Sequence, residues 1–248
     1  MTRRSIHRVR RTAMAVIAVI GLAACSSDGN GDGSGKGNGS GNGNGNGSGP
    51  VQVDADGTTQ IAGGELQTQI DALPVATLSA DQEAGLLQMR EEEKLAHDVY
   101  VALYDQWQVQ AFSNISKAEL THSEAVKVLL DRYGLDDPAA GNAAGVFTNP
   151  DLQALYDALV EQGSASLVAA LTVGATVEDL DIADLQSLAT QAPDIQLVYD
   201  NLEKGSRNHL RAFTKQLVKN GATYTPAYIS QADYDEIIAG EMEKGIAG

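Results

Sequence analysis

Five side chains that could share one chemical task recur on the apolar faces of four predicted helices. They are Glu92 on the first helix, Glu119 and His122 on the second, Glu178 on the third and His209 on the fourth. At about 3.6 residues per turn, each falls within about 60° of the centre of an apolar stripe. A carboxylate in such a place is costly unless another charge compensates it. We therefore expect these side chains to meet inside a bundle.

The chemistry that fits this set is the binding of metal ions. Carboxylates from separate helices would repel one another, and divalent or trivalent cations would neutralise them. Glu119 and His122 are three residues apart, so they share a helical face and can reach one ion. A two-ion site takes a Glu from each of two helices and Glu-x-x-His from each of the other two. The pattern predicts a site for one or two divalent or trivalent metal ions.

The fourth predicted helix departs from this pattern. Its inner face is centred on Ser206, so that Ser206-x-x-His209 stands where Glu-x-x-His is expected. Two acids could replace the missing carboxylate: Asp181, one turn beyond Glu178, and Glu203, one turn before Ser206. Whether either does so separates a site for two ions from a site that holds one ion firmly.

The acids that flank Glu92 are expected to lie in solvent. Glu91 and Glu93 fall about 100° to either side of it on the helical wheel. A single Glu on an apolar stripe is more often a boundary residue, whose stem packs while its carboxylate reaches water. The metal hypothesis therefore depends on several residues acting together.

Four long helices are needed to position these residues. The first follows Ser79, which has capping-box spacing to Gln82, and the second is followed by Gly134, which suits a left-handed residue after a helix end. The predicted long helices cover about residues 80–107, 113–133, 165–192 and 194–220, with a short helix over 150–162. This order predicts an all-α fold, a ferritin-like four-helix bundle with one long crossover that contains the short helix.

The residues before the bundle predict export from the cytoplasm. Residues 1–24 join a basic start to an apolar run of about a dozen residues, which is too short to span a bilayer. The run ends in Leu-Ala-Ala-Cys25, which resembles the bacterial lipobox and implies a lipid on Cys25. Residues 25–50 form a Gly/Ser/Asn-rich tether, 51–78 an extended or irregular lead-in, and 79–240 the bundle. We therefore expect an extracytoplasmic lipoprotein, anchored to the cell membrane through Cys25.

The composition excludes several classes of function. The chain has 17 Lys and Arg against 33 Asp and Glu, a net charge of -16 that becomes -21 without residues 1–24. Nucleic acid is therefore not an expected partner, because phosphate contacts require basic residues. The single Cys excludes a disulfide framework and a thiolate zinc cluster. The expected partners are the membrane, through the anchor, and a small oxidant or a metal ion as substrate.

Several stretches of the bundle resemble a known family, the domain-of-unknown-function family 2202. They are REEEKLAHDVYVALY (90–104), GATVEDLDIADL (174–185), GSRNHLRAF (205–213) and TYTPAYIS (223–230). The order Glu92, Glu119-x-x-His122 and Glu178 is also similar to that of the di-iron carboxylate proteins of the ferritin-like superfamily. This similarity implies iron in a dinuclear or mononuclear site, with manganese or zinc as alternatives. The resemblance covers about residues 80–240 and implies a ferritin-like bundle, but no established reaction.

These observations leave two functional hypotheses open. In the first, the protein is an extracytoplasmic ferritin-like lipoprotein that binds one or two iron-class ions. If it is an enzyme, the expected reaction is that of a di-metal oxidase, peroxidase or ferroxidase that uses oxygen or peroxide. In the alternative, a degenerate metal site belongs to a non-catalytic surface module that binds metal or a partner protein.

Overall fold

The computed structural model describes residues 51–53, 59–61, 63–188 and 191–245. The predicted signal peptide, the lipidation site Cys25 and the tether up to residue 50 lie outside the described residues. Seven helices and two short strands make up the described part of the chain. None of these helices combines the length and the apolar character needed to cross a membrane.

Four long helices form the bundle. They are α2 (Ala80–Trp107), α3 (Gln110–Tyr133), α5 (Leu167–Ser187) and α6 (Pro193–Lys219). α2 packs along α3 and α5 packs along α6, and the crossover between the two pairs carries the short helix α4 (Pro150–Gly163). The prediction of an all-α bundle with a helix in its long crossover is confirmed. α7 (Gln231–Ala239) follows the bundle and packs against α6.

Local sequence signals set the helix ends. Ser79 and Gln82 form the expected capping box at the start of α2. Gly134 ends α3 with a φ of 66°, a left-handed conformation that costs glycine little. Pro150 opens α4, where its missing N–H is not needed.

The lead-in to the bundle is more ordered than the sequence predicted. Within residues 51–78, the strands β1 (Val51–Val53) and β2 (Thr59–Ile61) pair antiparallel, and α1 (Gly63–Asp71) follows. The prediction of an extended or irregular segment is therefore wrong for α1. Leu66 and Ile70, four residues apart on one face of α1, are buried in the apolar core. That packing outweighs the low helical propensity of the two glycines that open the helix.

Beside the polar cluster described below lies a large cluster of apolar core residues. Its members come from α1, α2, α3, α5 and α6 and include Leu86, Met89, Val126, Leu129, Leu130, Ile195, Val198 and Leu202. A packed core on rigid helices fixes backbone positions, and this allows buried charges nearby to be held in a set geometry.

Candidate metal centre

The four long helices bring six ionisable side chains together inside the bundle. These are Glu93 of α2, Glu119 and His122 of α3, Glu178 and Asp181 of α5, and His209 of α6. Asp181 is half-buried, and each of the others is at most 2% exposed. Buried charges at this density require compensation from other charges or from hydrogen bonds.

Glu119 lies at the centre of the cluster, between the two histidines. Its Oε2 atom is 2.8 Å from Nδ1 of His122, and its Oε1 atom is 2.8 Å from Nδ1 of His209. The two imidazole rings are stacked, with centroids 5.5 Å apart and planes 19° apart. These three residues can offer ligand atoms that all lie within 4.8 Å of one another.

A second carboxylate approaches the same nitrogen of each histidine. Glu93 Oε2 lies 3.4 Å from Nδ1 of His122, and Glu178 Oε2 lies 3.5 Å from Nδ1 of His209. Ligands of one ion at bond lengths of about 2.1 Å are separated by roughly 3.0–3.4 Å. The cluster thus contains two adjoining groups of ligand-like spacing that share Glu119.

Several buried atoms of the cluster make no hydrogen bond of acceptable geometry. They include Oε1 of Glu93 and Nε2 of His122. Buried polar atoms without a partner are rare in folded proteins, and each needs an explanation. Carboxylates of the cluster line a cavity of about 20 Å³, enough room for one small ligand such as a water molecule. Nitrogen and oxygen donors around a small buried cavity fit iron, manganese or zinc.

The protonation equilibria of the cluster show the same need for positive charge. Burial alone would raise the pKa of Glu119, but His209 and His122 outweigh it and bring that pKa well below 4.5. Burial would lower the pKa of His209, yet Glu119 and then Glu178 raise it to about 9. Burial raises the pKa of Glu93 and that of Glu178 to about 7. Protons or cations must therefore accompany these carboxylates.

Comparison with known proteins places the chain in a family. Residues 82–241 match the family described as an uncharacterized protein domain, DUF2202. The chain belongs to this family. The resemblance seen in the sequence motifs is thereby confirmed.

One DUF2202-like relative has both a known sequence and a known structure. The uncharacterized protein MJ0754 of Methanocaldococcus jannaschii is 51% identical over 179 residues, which cover 71% of this chain and 97% of that protein. The crystal structure of hypothetical protein MJ0754 from Methanococcus jannaschii has a TM-score of 0.68 to this chain at 52% identity. The structural match covers 69% of this chain and 99% of the MJ0754 chain. Neither description assigns a reaction, so the function must be argued from the site.

In this DUF2202 chain, the acidic run of α2 is not solvated as predicted. Glu93 is 1% exposed and faces His122, and Glu91 is 3% exposed and accepts hydrogen bonds from the backbone of the crossover. Glu92 lines the same cavity but accepts its hydrogen bond from Gln88 of its own helix, at 2.7 Å. α2 is covered by α3, α4 and α5, so its buried arc is wider than its apolar stripe.

The two candidates for the missing carboxylate differ in position. Asp181 lines the cavity and accepts a hydrogen bond from Ser206, the residue that stands where a Glu was expected. Glu203 instead forms an ion pair with Arg207 at 2.8 Å and accepts from Gln186 at 3.1 Å. The structure therefore brings Asp181 to the cluster and leaves Glu203 outside it.

Two further residues hold the ligands in place. The hydroxyl of Tyr100 donates to Oε1 of Glu178 at 2.5 Å. Burial, and next the charge of Glu178, raise the pKa of Tyr100 well above 10, so the hydroxyl keeps the proton that it donates. Gly205 lies against the ring of His122, where an added Cβ would be 2.5 Å from Cε1. Neither role is visible in the sequence alone, since both contacts join separate helices.

Proposed function

We propose that this chain binds a pair of iron-class ions in the centre of a ferritin-like bundle. The observation that carries the proposal is the place of Glu119, whose two oxygens each lie 2.8 Å from a different histidine. In this arrangement Glu119 would serve both ions, and His122 with Glu93 and His209 with Glu178 would hold one ion each. Asp181 completes the set in place of the absent carboxylate of α6.

The proposed reaction class is redox chemistry with oxygen or peroxide. Two Fe(II) ions bound there would supply two electrons, which with two protons reduce dioxygen to hydrogen peroxide, or hydrogen peroxide to two water molecules. The chain itself keeps these side chains buried and orients Glu178 through Tyr100.

We further propose an extracytoplasmic location, with the bundle held at the membrane by a lipid on Cys25. The support is the sequence alone: the basic and apolar start, the lipobox-like Leu-Ala-Ala-Cys25 and the glycine-rich residues that follow. Labelling of cells with a radioactive fatty acid tests this proposal. The wild-type chain is expected to incorporate label, and a Cys25→Ser chain is expected to incorporate none.

Metal titration tests the metal proposal directly. The purified chain, stripped of metal by a chelator, is titrated without oxygen with Fe(II) and separately with Co(II), and bound metal is counted by mass spectrometry. We expect two ions per chain, and loss of both in Glu119→Gln because that residue is shared. Glu203→Gln, which alters an acid outside the cluster, is the matched control and should bind both ions. Binding weaker than about 1 mM in the wild-type chain would sink the proposal.

One observation favours a second candidate, a metal-binding module without turnover. Ser206 occupies the place of a ligand carboxylate, and an altered ligand set can bind metal yet fail in oxygen chemistry. Addition of oxygen or peroxide to the Fe(II)-loaded chain separates the two candidates. Repeated oxidation of fresh Fe(II), supplied with each addition of oxidant, supports the enzyme, and unchanged Fe(II) supports the binding module.

A further inference from the structure

Acidic and apolar side chains both line the cavity of the proposed metal centre. The acidic residues are Glu92, Glu93, Glu119, Glu178 and Asp181. The apolar residues come from α2, from the crossover helix α4 and from α5, and they are Leu95, Ala96, Leu152, Leu155, Val177 and Leu180. Apolar side chains thus make up six of these eleven lining residues.

The exposure of the lining residues shows where the cavity opens. The four glutamates and most of the apolar residues are at most 8% exposed. Leu155 of α4 and Leu180 and Asp181 of α5 are half-buried, and they mark the cavity's edge. Asp181 accepts a hydrogen bond from Ser206 of α6. The outermost surface of the opening between α4 and α5 is therefore mainly leucine.

The position of α4 over the cavity is fixed from α2. The carboxylate of Glu91 accepts the backbone N–H groups of Thr148 at 2.5 Å and Asn149 at 3.0 Å, just before α4 begins. Glu91 is two residues from Glu93, so one short stretch of α2 both supplies the metal site and holds its cover. These two hydrogen bonds fix the distance between the leucines of α4 and the carboxylates of α2.

We propose that a small uncharged oxidant, dioxygen or hydrogen peroxide, reaches the metal centre between α4 and α5. A charged ion would lose its hydration among the leucines at a cost of several kcal/mol, whereas a small neutral molecule loses little. This inference rests on the proposed function, since it names the substrate class of the same site. It assigns Leu152, Leu155 and Leu180 to substrate access rather than to core packing alone.

The first test needs no metal. Dissolved dioxygen is paramagnetic and speeds the relaxation of methyl groups near it, so methyl NMR of the metal-free chain maps its preferred positions. Leu152 and Leu217 are matched, because both are 0% exposed, but only Leu152 lines the cavity. We expect faster oxygen-induced relaxation at Leu152 than at Leu217. Equal relaxation at the two leucines overturns the route.

The second test narrows the opening. Leu155→Trp places a large ring at the edge of the cavity, and Ala154→Trp places the same ring on the exposed side of α4 as a control. We expect Leu155→Trp to bind Fe(II) as the wild type does but to be oxidised about tenfold more slowly, with Ala154→Trp unchanged. Separate runs with dioxygen and with peroxide show which oxidant uses the route. Equal rates in both variants overturn the inference, whereas a wild type that binds no metal overturns the proposed function instead.

Discussion

Glu178 and Asp179 are neighbours on α5 and both carboxylates are buried, but they differ in the number of hydrogen-bond donors around them. Asp179 is 0% exposed and accepts hydrogen bonds from the hydroxyl of Tyr224 at 2.7 Å and from the backbone N–H groups of Ala227, Tyr228 and Ile229. The segment after α6 is thereby folded onto α5. A buried charge with this many donors has its lost hydration replaced by the chain itself.

Glu178 points toward the cavity and has far less compensation. It accepts a hydrogen bond from Tyr100 and otherwise faces His209 and the negative Glu119. Burial, and next the charge of Glu119, raise the pKa of Glu178 to about 7. A buried acid that accepts several hydrogen bonds from the chain, as Asp179 does, organises the fold. A buried acid that accepts too few, as Glu178 does, is suited to bind a cation.

The largest expected effect is on the acid that organises the fold. Asp179→Ala leaves three backbone N–H groups without their acceptor, so we expect the free energy of unfolding to fall by about 3–5 kcal/mol. Glu178→Gln, the neighbouring control, should leave the metal-free chain at least as stable as the wild type, because it removes a poorly compensated charge. Urea unfolding of both variants measures the difference. Similar losses in the two variants would contradict the distinction between the two acids.

The next prediction concerns which acid of α2 belongs to the cluster. Glu93 approaches Nδ1 of His122, whereas Glu92 is held by Gln88. We expect Glu93→Gln to weaken metal binding by about 10–100-fold and Glu92→Gln to weaken it much less. Competition with a coloured chelator measures both affinities. A larger loss in Glu92→Gln would restore the ligand set that the sequence predicted.

The helical wheel explains why the sequence favoured Glu92 over Glu93 as the acid of α2 in the cluster. It places Glu92 on the apolar stripe and Glu93 about 100° away, and this is valid for a helix with a single buried face. α2 is instead covered on three sides, so burial does not distinguish the two acids. Glu119, His122, Glu178 and His209 lie on helices whose apolar stripes do face the cluster, and their placement there was predictable. Only the distances between helices could separate Asp181 from Glu203.

The fold was predictable wherever a local signal sets a helix end. The capping box at Ser79 and the left-handed Gly134 are such signals. α2 begins and α3 ends where these residues predict. α1 was missed because two glycines begin it and only two buried side chains, Leu66 and Ile70, hold it to the core. Its stability comes from contacts with distant residues, which a short stretch of sequence does not show.

A third prediction compares the effect of an added methyl group beside the cluster with its effect elsewhere in the packed core. An added Cβ at Gly205 would lie 2.5 Å from Cε1 of His122, and one at Gly163 would lie 2.5 Å from Cδ2 of Leu103. Both Gly205→Ala and Gly163→Ala should cost roughly 1–3 kcal/mol of stability, because both overfill a packed interior. We expect metal affinity to fall about tenfold in Gly205→Ala alone, because the displaced imidazole belongs to the proposed metal site. Unchanged affinity there would show that His122 moves without consequence.

The smallest expected effect is the pH dependence of stability in the metal-free chain. The pKa of Glu93 and that of Glu178 are raised by burial to about 7, so the folded chain keeps protons that the unfolded chain releases above about pH 4.5. The pKa of His209, raised to about 9, acts in the same direction above about pH 6.5. The unfolded chain thus binds fewer protons across this range, and stability must fall as the pH rises from about 5 to about 9.

Bound metal should reverse this slope, because metal ligands must be deprotonated and binding therefore strengthens as the pH rises. Thermal unfolding with chelator and with excess Co(II), at about pH 5, 7 and 9, measures both slopes. We expect Tm to fall by several degrees in chelator and the gap between the two series to widen with pH. Glu178→Gln should flatten the chelator series, since it removes one of the titrating groups. Parallel series would mean that protons and metal do not compete for these side chains, and Glu178 would then belong with Asp179 among the acids that serve the fold.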